Sequence, residues 1–172
     1  MAKKLSGNEI VKKINKIYVS NLRRAIETAE ISKPNFEYII TSKLKERSLV
    51  FFEGKTKDEI MKISEYQKYY TAQKYKEFKD SFIVKAPKGE NYSEVLIRVM
   101  SFLENLKYED NDIIGIYSHF CAIRCMFCRL SKIKSKEKVF NLKIKNCEPY
   151  VFEGNSIKNL KLVSHDIENL FL

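Results

Sequence analysis

The sequence predicts an α/β fold, a three-layer αβα sandwich around a mostly parallel sheet. Two observations predict it. Short β-rich apolar runs alternate along the chain with segments of helical periodicity, a pattern that sets strands side by side with crossover helices on both faces. Polar residues capable of chemistry also fall directly after two of those runs, where ligands bind in such sheets. With 172 residues, 44% of them hydrophobic, the chain can bury one ordinary core and is expected to form one domain over 1–172.

Each element has its own signal. Segment 7–16 (GNEIVKKINK) spaces Ile10, Val11 and Ile14 as a short amphipathic helix does. Residues 17–20 (IYVS) form a compact strand that breaks at Asn21. Residues 22–32 have helical propensity and stop before Lys33-Pro34, because the position preceding proline disfavours helix. Residues 37–43 (EYIITSK) read as a second strand. The polar Tyr- and Lys-rich stretch from 57 to 79 reads as one or two exposed helices, and 57–88 as a helical insertion over the site.

Val95, Leu96, Val99, Phe102 and Leu103 share one helical face within 90–106. The almost wholly apolar run 113–117 (IIGIY) is expected to be a strand buried on both faces. Helix resumes over 119–130. Two more strands are expected at 149–153 (PYVFE) and 158–163 (KNLKLV).

Composition narrows the function classes. No window approaches the ~20 apolar residues of a membrane span. The start Met1-Ala2-Lys3-Lys4-Leu5-Ser6-Gly7 lacks the apolar region of a secretory signal, so a cytoplasmic location is expected. The net charge of +10 favours anionic ligands at long range, but the lysines are scattered and spell no nucleic-acid motif.

Four polar signatures carry the chemistry: Ser20-Asn21-Leu22-Arg23-Arg24-Ala25-Ile26-Glu27-Thr28-Ala29-Glu30, Leu44-Lys45-Glu46-Arg47, Gly89-Glu90-Asn91 and Tyr117-Ser118-His119. Ser20 and His119 lie at strand ends. Arg24 lies in the first turn of the following helix, where free N–H groups and a guanidinium suit a phosphate. Arg23 reads as a surface arginine. Glu46 alone would pass for one half of a solvated Glu–Arg pair. No Gly-x-Ser-x-Gly elbow surrounds Ser20 or Ser118.

In that order, these segments resemble the histidine phosphatase superfamily, the phosphoglycerate mutase-like proteins, from about Leu5 onward. Arg24-Ala25 with Thr28-Ala29 is similar to the family's R-A-x-[QE]-T-A helix. Leu44–Arg47 followed by Phe52-Glu53-Gly54-Lys55-Thr56 is similar to its L-x-E-R segment and x-E-G-x-T turn. Gly89-Glu90-Asn91 with Arg98 is similar to its G-E-S…R helix start, and Ile113–His119 to its strand ending in S-H-G. The resemblance implies a phosphoglycerate mutase-like sheet, with Arg24 and His119 both binding phosphate oxygens and both stabilising charge on the transferring group. It further implies that Glu46 protonates the leaving oxygen and that no metal or other cofactor is needed.

Two departures fall on the implied site. The family's nucleophile is a histidine in an R-H-G motif at the end of a first strand. No R-H-G occurs here, and the only histidines are His119 and His165, so no nucleophile is assigned. Phe120 stands where the family has glycine, which is expected to narrow the pocket or turn the backbone. Asn91 for serine is milder, since both cap helices. Without the first strand, 113–117 would leave backbone groups unpaired. The expected remedies are a neighbouring strand, a strand from a second copy or other partner, or a longer natural N-terminus.

Cys121, Cys125 and Cys128 follow C-x3-C-x2-C spacing. That spacing is known from iron–sulfur ligation, but on a helix it places three small residues on one face, and core packing is expected. Cys147 is separate, and His165 reads as a surface residue. The functional expectation is a degenerate, catalytically impaired family member that retains a site for a phosphorylated ligand. The alternatives are an active phosphomonoesterase whose nucleophile segment is not in this sequence, and a partner-binding regulatory module.

Overall fold

A computed structural model of the chain describes residues 1–63, 79–133 and 135–171. The expected helices at 64–78 lie outside the described residues. The chain divides into two compact units, one of Met1–Glu46 with Arg98–Leu172, the other of Arg47–Ile97.

The first unit is built on three parallel strands, β1 (Lys16–Ser20), β2 (Tyr38–Thr41) and β3 (Ile114–Tyr117), in the order β2-β1-β3. Val19 pairs with Ile40 on one side and Tyr117 on the other. β1 is therefore the central strand, and its last four residues are all buried. This is why it reads as a continuous apolar run rather than an alternating one.

Helices cover both faces. The expected single helix at 7–16 is instead two, α1 (Ala2–Ser6) and α2 (Glu9–Lys13). Asn8 divides them, because its side chain accepts from the N–H groups of Ile10 and Val11 and so starts a new helix. Leu5, Val11 and Ile14 pack on Ile17, while α3 (Arg23–Ser32) lays Ala25 and Ala29 on Val19. Tyr18 points to the opposite face and meets Phe102 edge-on at 5.3 Å. Phe102 belongs to α5 (Tyr92–Glu104), which starts in the second unit. Gly115 lies close to Ile14: a Cβ there would stand 2.9 Å from Ile14 Cδ1, so that side chain would have to shift.

β3 differs from expectation. Of its four residues only Gly115 is fully buried, and among the described residues it pairs with β1 alone. Among the described residues, no neighbouring strand closes its other edge. The two C-terminal strands shrink to β4 (Phe152–Glu153) and β5 (Lys161–Leu162), antiparallel to each other in a sheet of their own. Successive N–H groups of a strand point in opposite directions. Hydrogen exchange should therefore split Ile114–Tyr117 into two classes, alternate amides protected by β1 and the others exchanging rapidly. Uniform protection would show that something covers the outer edge.

α6 (Phe120–Leu130) follows His119 and buries Ala122, Cys125 and Phe127. Phe127 packs edge-on against Tyr150 and Phe152 at 5.3 and 5.2 Å. Arg124 is 8% exposed and donates to the carbonyls of Phe140 and Leu142, at 2.6 Å and 3.0 Å from Nη2. Truncating Arg124 to alanine strands both acceptors, and chemical denaturation should show a loss of about 2–4 kcal/mol. His165 is more than a surface residue. Its ring bonds Glu148 at 2.9 Å and Ser164 at 2.7 Å and lies 4.7 Å from the Tyr150 ring, tying the C-terminal segment together. The His165 hydrogen bond is the first cause that holds the Glu148 carboxyl below its usual range.

The second unit explains several of the sequence signatures as scaffold. Glu53 Oε1 accepts from Ser48 Oγ and from the N–H groups of Leu49 and Val50, closing the turn before α4 (Lys57–Lys62). Thr56 and Glu59 form a reciprocal cap at the start of α4. Glu90 receives Ser48 N–H at 2.9 Å and returns its own N–H to the Ser48 carbonyl at 2.7 Å. Gly89 permits that approach, since a Cβ there would lie 2.7 Å from Ser48 O. Asn91 caps α5 reciprocally with Glu94, as a serine could.

Candidate phosphate site at the carboxyl ends of β1 and β3

The site forms because β1 and β3 are adjacent and parallel, so Ser20 and His119, 99 residues apart in sequence, arrive at one sheet end. Ser20 is fully buried and His119 is 7% exposed. His119 Nε2 lies 2.9 Å from Ser20 Oγ, which also accepts the Leu22 N–H at 3.2 Å. On the other side of the ring, Arg24 Nε donates to His119 Nδ1 at 3.1 Å.

These contacts set the tautomer. A guanidinium can only donate, so Nδ1 holds a lone pair and Nε2 carries the proton, which it gives to Ser20. Burial and then the Arg24 charge push the imidazole from its ordinary 6.5 down to about 4, against an opposing pull from Glu46. At neutral pH, His119 is an uncharged donor beside a fixed cation.

Glu46, from the segment after β2, reaches the first turn of α6. Its carboxylate accepts the Cys121 N–H at 3.1 Å, a favourable position for an anion at the positive end of a helix. Arg98 braces the segment that carries it, donating to the carbonyls of Lys43 at 2.8 Å and Glu46 at 3.2 Å. Ser118 donates to the Leu44 carbonyl at 2.8 Å and is occupied structurally. Phe120 does not turn the backbone. It is the first residue of α6, in ordinary helical conformation, with its ring 4.0 Å from the Arg124 guanidinium carbon.

The sequence-derived set of Arg24, Glu46 and His119 therefore comes together within one unit. Sequence reasoning missed Ser20 as the partner of the imidazole and Arg98 as the brace of the Glu46 segment. Arg98 was legible only as the last letter of a motif. Arg23 is exposed and pairs with Glu27 at 2.7 Å. Cys125 is fully buried, Cys121 and Cys128 are half-buried, and all four cysteines are free thiols. Burial raises the Cys125 thiol far above its usual range. The described residues hold no group of three potential metal ligands, and no helix among them is long and apolar enough to cross a membrane.

The fold is phosphoglycerate mutase-like. A family model of the histidine phosphatase superfamily (branch 1) matches residues 1–164, and the chain belongs to that superfamily. Among solved structures it is similar to a mycobacterial glucosyl-3-phosphoglycerate phosphatase in complex with VO3. That match has 15% identity and a TM-score of 0.68, over 94% of this chain and 80% of that one. It is also similar to an Escherichia coli structure assigned to an α-ribazole-5'-P phosphatase, with 16% identity and a TM-score of 0.69, over 94% of this chain and 79% of that one. At such identities the likeness concerns the fold. None of the curated proteins matches the chain by sequence.

Proposed function

We propose that this chain binds a phosphorylated ligand through Arg24 and His119 and, by itself, forms no phosphohistidine. The observation that carries this reading is the Arg24–His119–Ser20 hydrogen-bond chain. A nucleophilic histidine needs an unprotonated ring nitrogen aimed at phosphorus. Here the lone pair of Nδ1 is held by Arg24, and Nε2 carries a proton. His119 is thus unsuited to attack phosphorus, and its Nε2–H would reach a phosphate oxygen only by leaving Ser20 Oγ, with the terminal N–H groups of Arg24 beside it. Titration of inorganic phosphate into the intact chain, together with an assay of a generic phosphate ester, tests this. Binding without turnover is expected. Turnover that disappears in His119→Ala would sink the inactive reading, and the absence of both would leave a partner-binding module.

A second reading is favoured by one observation, the outer edge of β3 that no strand among the described residues pairs. A parallel strand added there would end beside His119. If that strand, from a longer chain, a second copy or another polypeptide, carried a nucleophile, the ensemble would be an active phosphomonoesterase. Arg24 and His119 would stabilise the transferring group, and Glu46 would serve as the proton donor to the leaving oxygen. Under either reading we place the protein in the cytoplasm.

A further inference from the structure

We infer that Phe120 is a stacking platform that makes the site prefer phosphate esters of planar aromatic alcohols to those of aliphatic ones. The inference rests on the phosphate-binding reading of Arg24 and His119. Phe120 is 41% exposed although it directly follows a nearly buried histidine. A single exposed apolar side chain is unremarkable on a protein surface, but this one is held. The Arg124 guanidinium carbon lies 4.0 Å from its ring centroid. That guanidinium cannot swing away, because Nε and Nη2 bond the Leu142 carbonyl and Nη2 also bonds that of Phe140. One face of the ring is therefore covered by a fixed cation, while the residue as a whole stays 41% exposed.

Two consequences follow from elementary chemistry. A ring already held in one position loses little freedom when a ligand stacks on it, so the contact contributes more of its gross strength to binding. A cation on one face also draws π density toward itself, which favours an electron-rich ring, such as one bearing a phosphate oxygen, on the opposite face. The reach is short. Consecutive Cα atoms are about 3.8 Å apart, so Phe120 is anchored one residue from the histidine that would hold the phosphate. An aromatic contact of this kind corresponds to roughly a three- to tenfold gain in affinity.

Calorimetric titration of the intact chain with inorganic phosphate, phenyl phosphate and cyclohexyl phosphate tests the inference. The two esters have similar size and charge, and only one has a π face. Phenyl phosphate should bind about three to ten times more tightly than cyclohexyl phosphate. In Phe120→Leu that ratio should fall to about one. Inorganic phosphate binding with no preference between the esters would overturn the platform and leave the phosphate site standing, as would a preference that survives in Phe120→Leu. Failure of all three ligands to bind would overturn the phosphate site and the platform with it. The comparison of the two esters needs no variant, so it decides the matter even if Phe120→Leu folds poorly.

Discussion

Arg24→Ala should weaken binding of inorganic phosphate by roughly ten- to hundredfold, the measure of one or two charge-assisted hydrogen bonds. Arg24→Lys should recover only part of it, because an ammonium lacks the planar fork that can hold His119 and a phosphate oxygen together. The same substitution carries a second, independent signature. The Arg24 charge is one of the causes that depress the His119 imidazole, so its removal should move that group up from about 4. The shift should remain incomplete, since burial is the larger cause and survives the change. A pH titration of the His119 ring protons by NMR reads this directly. An unchanged imidazole titration would mean that the Arg24–His119 contact does not form in solution, and an unchanged phosphate affinity would remove Arg24 from the site.

Acid should destabilise the fold through His119 well before the carboxylates protonate. Above about pH 6.5 the ring is neutral in both folded and unfolded chains and contributes no pH dependence. Between 6.5 and about 4 the unfolded chain takes up a proton that the folded chain refuses. Stability therefore falls as pH falls across that window, and the contribution levels off below it, once the folded ring also protonates. Integrated over the window, the loss is about 3 kcal/mol. Urea denaturation of the native chain and of His119→Asn at pH 7, 5.5 and 4.5 isolates the effect, because the variant should lose most of the slope. Parallel pH dependence in the two proteins would show that the imidazole is not held neutral.

Much of the site was legible in the chain because each of its parts sits on a local signal. Arg24 opens a helix after a strand, His119 ends an apolar run, and Glu46 lies in a short motif after the second strand. Their convergence was not legible from spacing alone. It depends on β1 lying between β2 and β3, so that sequence-distant strand ends become neighbours. Ser20 was legible as a site residue at a strand end, but only the pairing of Val19 with Tyr117 brings its hydroxyl under the imidazole. The expectation that 113–117 is buried on both faces failed for the converse reason. An apolar composition records what a strand could bury, whereas its exposure depends on a neighbour that no local pattern encodes.

The sequence by itself determined the alternation of strand and helix, the cap at Asn91, and the absence of an R-H-G motif. All of these depend on residue identity over a few positions. Tertiary structure alone decided that His119 is a neutral donor clasped by Arg24 and Ser20 and that Phe120 is propped on a pinned guanidinium. It also decided that, among the described residues, β3 pairs on one edge only. Protonation state, burial and strand pairing are set by atoms brought together from distant parts of the chain, and no local stretch of sequence contains them.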